Sequence, residues 1–188
     1  VEILSDLKHR VFPRPFERLS SLRGRRCLTG VEIGVCGGEH AASLLRNLDI
    51  DRLYLVDPYA LYDDYQEGNA HYGVDQPDLS ESERSARSML HPYQDKTVWI
   101  RDYSADAIRS IPEDVDFVYI DGNHQESYVD SDIRGYLDLV KPGGVIGGHD
   151  LYNGFQRDHD GVINAVVRFA AETNLQLRVE LPDWWIEL

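Results

Sequence analysis

The residues Val31-Glu32-Ile33-Gly34-Val35-Cys36-Gly37-Gly38 close an apolar run and open into 40–48, a helix-compatible stretch. Glycines in such a turn let the backbone pass close to a ligand, and a helix N-terminus offers free N–H groups. The next apolar run ends in Asp57, 23 positions beyond Gly34. A carboxylate there can accept both ribose hydroxyls of a nucleoside, which separates this pattern from an ordinary strand-to-helix turn. Two later runs end in Asp121 and in His149-Asp150, and His124 lies three residues beyond Asp121. Two carboxylates and an imidazole converging at strand ends would hold a divalent ion. Oxygen ligands suit Mg²⁺, and a histidine admits Mn²⁺, Fe²⁺ or Zn²⁺. The competing reading is that Asp121 caps a turn and the His149-Asp150 side chains bond loop backbone. Asp158-His159-Asp160 is a further polar cluster, read as a solvated loop with Asp160 near a helix N-terminus.

Positioning these residues requires strands whose carboxyl ends share one edge. Short apolar runs at 30–35, 53–57, 98–101, 116–121 and 144–148 alternate with helix-patterned stretches, the pattern of strand-helix-strand units around a parallel sheet. Their apolar character on both faces marks central strands covered by helices. Val129, Ile133, Tyr136, Leu137 and Val140 recur at helical spacing, with Lys141-Pro142-Gly143-Gly144 as stop and turn. Val162, Val166, Phe169 and Thr173 mark another helix, and 176–181 with 184–188 form a terminal strand pair. Segment 59–77, rich in Tyr, Asp, Gly and Asn, reads as a long functional loop or lid whose tyrosines stack on an acceptor or pack on the domain. Residues 3–22, broken by Pro13 and Pro15, are expected to be helical pieces on the sheet, and Arg23 to Arg26 a solvated connection.

Dinucleotide and methyl-donor cofactors share this architecture. The spacing G-x-x-G-G lacks the dinucleotide G-x-G-x-x-G, and Glu32 stands two residues before the first glycine. At this point the sequence resembles the class I S-adenosylmethionine-dependent methyltransferases, whose first motif is matched at Glu32, Gly34 and Gly38, with Cys36 at the middle glycine. It resembles in particular the small family that includes macrolide-sugar O-methyltransferases and relatives of cephalosporin hydroxylase. The residues that carry this are Val56-Asp57-Pro58-Tyr59, Val118-Tyr119-Ile120-Asp121-Gly122-Asn123-His124, Asp132, Leu139-Val140-Lys141-Pro142-Gly143-Gly144, and His149-Asp150 followed by Gly161-Val162. The resemblance implies an α/β, Rossmann-like, seven-stranded, mostly parallel sheet with helices on both faces and the last strand antiparallel. It also implies a cofactor site of Glu32, Gly34, Gly37, Gly38, Asp57, Tyr103, Ser104 and Asp121, with 101–104 beside the adenine. Mg²⁺ or another divalent metal is implied at Asp121, His149 and Asp150, although His149 stands where several relatives carry an acid. His124, with an unperturbed pKa of about 6.5, matches the family's general base, and Asp121 acts with it. The reaction implied is metal-assisted O-methylation of a small-molecule hydroxyl, of sugar or natural-product type.

Two readings from other classes stay open: a regulatory cofactor-binding module with a vestigial metal site, and a hydroxylase-like metal enzyme. A nicotinamide dehydrogenase is disfavoured by the glycine pattern. A chain of 188 residues, 42% hydrophobic, supports a single domain: an N-terminal segment over 1–28 and a core over 29–188. With 33 acidic against 19 basic residues, the formal charge of -14 disfavours nucleic acid as a partner. Apolar runs stop well short of the roughly 20 residues that span a bilayer, so no membrane partner is expected and the cytoplasm is the default location. Cys27 and Cys36 read as reduced thiols. A homo-oligomer is compatible with all of this.

Overall fold

The computed structural model describes residues 13–61, 76–112, 114–151 and 160–188. Seven strands form one sheet: β1 (Leu28–Ile33), β2 (Ile50–Val56), β3 (Thr97–Ile100), β4 (Val115–Ile120), β5 (Val140–Gly148), β6 (Leu177–Glu180) and β7 (Asp183–Glu187). Their order is β3-β2-β1-β4-β5-β7-β6. The first five pair in parallel, and β7 runs antiparallel to both β5 and β6. Strand order therefore reverses between β1 and β4, the switch point at which open α/β sheets bind ligands.

Register is what positions the site. Ile33 pairs with Val56 on one side and with Ile120 on the other, Val56 pairs with Ile100, and Ile120 pairs with Gly148. The next residue of each strand leaves the sheet on the same edge, and those residues are Arg101, Asp57, Gly34, Asp121 and His149.

Helices α1 (Ser20–Arg23), α2 (Glu39–Asn47), α3 (Gln76–Leu90), α4 (Ser104–Ala107), α5 (Glu126–Leu137) and α6 (Asp160–Thr173) cover the sheet. Strand alternation divides its apolar side chains between two cores. Val118, Ile120 and Ile146 lie under α5 and α6 through Val129, Ile133, Val166 and Phe169. Phe117, Tyr119 and Val145 meet α2 and α3 through Leu44 and Leu90, together with Phe16 and Leu22.

Three local expectations need correction. The Lys141-Pro142-Gly143-Gly144 turn lies inside β5, where pairing jumps from Val115↔Val140 to Phe117↔Val145. Gly143, at φ +78°, absorbs the extra residues, and its N–H bonds the Leu188 carbonyl. Gln76 and Pro77, read as the end of a loop, instead open α3, where an early Pro forfeits no helical hydrogen bond. Arg25 is more than a solvated link: it pairs with buried Asp116 and donates to the Gly143 carbonyl at 3.2 Å. Residues 62–75, most of the expected lid, and Asp158-His159 lie outside the described residues, as do 1–12. The described part of the N-terminal segment holds a 3₁₀ turn at Phe16–Arg18 followed by α1. Among the described residues no helix is long and apolar enough to cross a membrane.

Candidate active site

A cavity of about 650 Å³ opens at the β1/β4 switch point. Five residues expected at the cofactor line it: Gly34, Asp57, Tyr103, Ser104 and Asp121. Three others do not. Alternation along β1 turns Glu32 away from the cavity to the α2 side, where its buried carboxylate meets His40 Nδ1 at 2.8 Å. Burial, reinforced by the charge of Asp121, pushes the Glu32 pKa up. Gly37 and Gly38 build the turn from behind. Gly38 precedes α2 at φ +86°, and a Cβ there would stand 3.0 Å from the Ala86 Cα of α3. Cys36 keeps a left-handed backbone, φ +48°, in place of the motif's middle glycine.

Gly34, at φ +85°, has a different partner from the one its motif implies. A Cβ on it would lie 2.1 Å from the Asp121 carbonyl oxygen, so this glycine lets the ends of β1 and β4 touch. Asp57 ties the neighbouring turns together: Oδ2 accepts from the N–H groups of Val35 and Cys36, both at 3.0 Å, and Oδ1 from Tyr59 N–H at 2.8 Å. Burial raises its pKa while those three donors oppose the shift. Each carboxylate oxygen accepts two bonds, so Oδ2 is filled and Oδ1 keeps room for one hydroxyl donor. Tyr59, whose ring is buried, donates its hydroxyl to the Cys36 carbonyl at 2.9 Å. At the far wall the Ser104 hydroxyl bonds the Asp132 carboxyl, and Tyr136 donates to the Ser104 carbonyl at 2.8 Å. Asp132 is almost wholly buried, and burial pushes its pKa up to about 7.

Across Asp121 the side chains become a polar cluster. Ligand atoms of Asp121, His124 and Asp150 lie within 4.8 Å of one another, close enough to hold one ion. His124 joins the two carboxylates, and His149, the ligand expected from the sequence, lies beside them. His124 Nε2 stands 3.1 Å from Asp150 Oδ2, and His149 Nδ1 stands 3.1 Å from Asp150 Oδ1 and 3.9 Å from Asp121 Oδ1. Burial lowers the His124 pKa, but the Asp150 hydrogen bond and the charges of Asp150 and Asp121 outweigh it, and the net shift is upward. Burial likewise raises Asp150, yet bonds from both histidines hold it well below the usual carboxylate range. Asp150 has φ +59°, a strained backbone for a non-glycine residue.

Sequence reasoning missed Arg14. Its NH1 donates to Asp121 Oδ2 at 3.0 Å and to the Tyr119 hydroxyl at 2.8 Å. Asp121 is 107 positions away, and neither periodicity nor motif marks Arg14. Asp132 had a signal, as an acid in the resembling pattern, but nothing that tied it to Ser104.

A doubly wound sheet with a cofactor-sized cavity at its switch point, a glycine turn on one wall and an acid at the β2 end defines an α/β enzyme that uses a nucleoside cofactor. A family model described as a methyltransferase domain matches residues 31–151. The chain belongs to that family and is a class I S-adenosylmethionine-dependent methyltransferase. Among solved structures it is similar to the O-methyltransferase NovP, with TM-score 0.64, 15% identity, and coverage of 85% of this chain and 71% of that one. CalS11, a calicheamicin methyltransferase, has TM-score 0.65 and 11% identity, covering 99% and 79%. An O-methyltransferase from Bacillus cereus in complex with SAH has TM-score 0.59 and 16% identity, covering 98% and 79%. At these identities the likeness is one of fold. No curated protein sequence matches the chain.

Proposed function

We propose that this methyltransferase transfers the methyl group to a hydroxyl oxygen of a small molecule, of sugar or natural-product type, with a divalent ion at Asp121, His124 and Asp150. The observation that carries the reading is the position of Asp121, which both lines the cofactor-sized cavity and belongs to the ion-sized cluster. Donor and acceptor sites thus meet at one side chain, the requirement for an in-line displacement. NovP and the Bacillus cereus protein are O-methyltransferases, which supports oxygen as the accepting atom. The formal charge of -14 supports a small molecule over nucleic acid.

In this reading Asp57 accepts a ribose hydroxyl through Oδ1, Tyr103 and Ser104 border the adenine, and Gly34 and Asp121 flank the methionine portion. Glu32, Gly37 and Gly38 hold the turn without touching the cofactor. The donor set of two carboxylates and one imidazole fits a divalent ion by its chemistry and spacing. Such an ion supplies Lewis acidity, lowering the pKa of a hydroxyl beside it. His124 is assigned as a ligand because Nε2 is the ring nitrogen that faces the cluster, while Nδ1 is buried. The same nitrogen cannot be ligand and general base at once. Calorimetry with Mn²⁺ on His124→Ala tests this: a loss of ion affinity of about tenfold or more is expected, with S-adenosylhomocysteine affinity kept within about threefold. Retained ion affinity with lost turnover would return His124 to the role of base, and no change in either would remove it from the site.

A further inference from the structure

We propose that Arg14 is a built-in cation of the acceptor end: it shares Asp121 with the divalent ion, weakens the hold on that ion, and so sets the metal affinity of the enzyme. The proposal rests on the assignment of Asp121, His124 and Asp150 to a divalent ion.

Arg14 is seated by construction. Pro13 and Pro15 flank it, and a proline restricts both its own φ and the conformation of the residue before it. The next two residues are fastened at separate points. Phe16 is fully buried, edge-on to the rings of Phe117 and Tyr119, and its N–H bonds Asp183 Oδ2 at 3.0 Å. Glu17, also fully buried, accepts from Ser43 Oγ and Asn47 Nδ2, both at 2.8 Å. This short anchored stretch delivers the guanidinium to the end of β4, and it lies outside the family match, which begins at residue 31.

Charge then fixes the direction of the effect. Arg14 and Asp121 have side chains only 19% and 20% exposed, so solvent screens their fields incompletely. Asp121 Oδ2 is committed to the guanidinium, and Oδ1 is the oxygen turned toward His149. A divalent ion among Asp121, His124 and Asp150 would sit across one carboxylate from a fixed positive charge. It meets repulsion from Arg14 and a ligand oxygen already polarised by a charge-assisted bond. Removing the guanidinium charge frees the Asp121 carboxylate and removes the repulsion. A residue that merely oriented Asp121 for the ion would have the opposite effect, because its loss would disorder a ligand.

The experiment is Mn²⁺ titration of the whole protein by calorimetry, on the wild type, Arg14→Gln, Arg14→Lys, Tyr119→Phe and Asp150→Asn, with far-ultraviolet circular dichroism as the folding control. Arg14→Gln is expected to bind Mn²⁺ at least tenfold more tightly than the wild type, and Arg14→Lys, which keeps the charge, within about threefold of it. Tyr119→Phe, which removes the second anchor of the guanidinium, is expected to tighten binding to a smaller degree. It keeps the test open should Arg14→Gln fail to fold. Asp150→Asn should abolish binding. If Asp150→Asn abolishes binding while Arg14→Gln, or Tyr119→Phe in its absence, is unchanged or weaker, the proposal is overturned and the ligand assignment stands. If no variant binds Mn²⁺, the ligand assignment falls and the proposal with it.

Discussion

Replacing Gly34 with alanine separates two roles that the glycine motif leaves merged. The backbone at Gly34 has φ +85°, a conformation that costs an L-residue roughly 1–2 kcal/mol. The added Cβ would also stand 2.1 Å from the Asp121 carbonyl oxygen, 2.5 Å from its carbon and 2.8 Å from the Gly122 Cα, all main-chain atoms. Relief requires the end of β4 to retreat by roughly an ångström to reach ordinary van der Waals separation. That movement strains the Asp121 N–H bond to the Ile33 carbonyl, 2.8 Å. Such overpacking typically costs about 1–3 kcal/mol beyond the φ penalty. Gly143 supplies the control, with φ +78° and nothing within 4 Å of its would-be Cβ. Urea unfolding should therefore give Gly143→Ala a loss of about 1–2 kcal/mol and Gly34→Ala about 2–5 kcal/mol. Turnover should fall on the order of a hundredfold in Gly34→Ala, because a misplacement of about 1 Å at Asp121 disturbs the alignment of donor and acceptor. Equal destabilisation by the two alanines, or undiminished turnover in Gly34→Ala, would refute the claim that Gly34 exists for the contact between strand ends.

Asp132 predicts a pH dependence. Its folded pKa of about 7 exceeds the unfolded value, so between roughly pH 4 and 7 the folded protein binds the extra proton, and this group's contribution to stability falls as pH rises through that window. The stability of Asp132→Asn relative to the wild type should then grow by about 3 kcal/mol from pH 4.5 to pH 8 in urea unfolding, and a flat difference contradicts the assignment. Tyr59→Phe deletes the hydroxyl bond to the Cys36 carbonyl; a stability loss of about 1 kcal/mol and a severalfold weaker affinity for S-adenosylhomocysteine are expected by calorimetry, whereas unchanged affinity would detach Tyr59 from the cofactor turn.

The sheet was legible because parallel strands buried on both faces leave short apolar runs, and the residues ending those runs emerge along one register row. Asp57, Asp121 and His149 could be placed at one edge from that logic alone. Which way a side chain turns was harder to read. Glu32 sits in the motif but on the strand face that alternation sends toward His40, and motif spacing does not carry that sign. Gly34 was legible as a required glycine, yet its neighbour is the Asp121 backbone, a contact between strands far apart in sequence. That His124 and His149 both reach Asp150 was not legible, because the orientation of a ring at a strand end follows from packing. Arg14 had no signal at all: a single arginine between prolines acquires meaning only once Phe16 and Glu17 are buried beside it.

A crystal structure of the protein with S-adenosylhomocysteine and Mn²⁺ tests the shared role of Asp121 most directly. The nucleoside is expected inside the 650 Å³ cavity, with a ribose hydroxyl on Asp57 and the sulfur toward Asp121, and the ion among Asp121, His124 and Asp150. A nucleoside bound outside that cavity, or one whose sulfur points away from Asp121, would contradict that role.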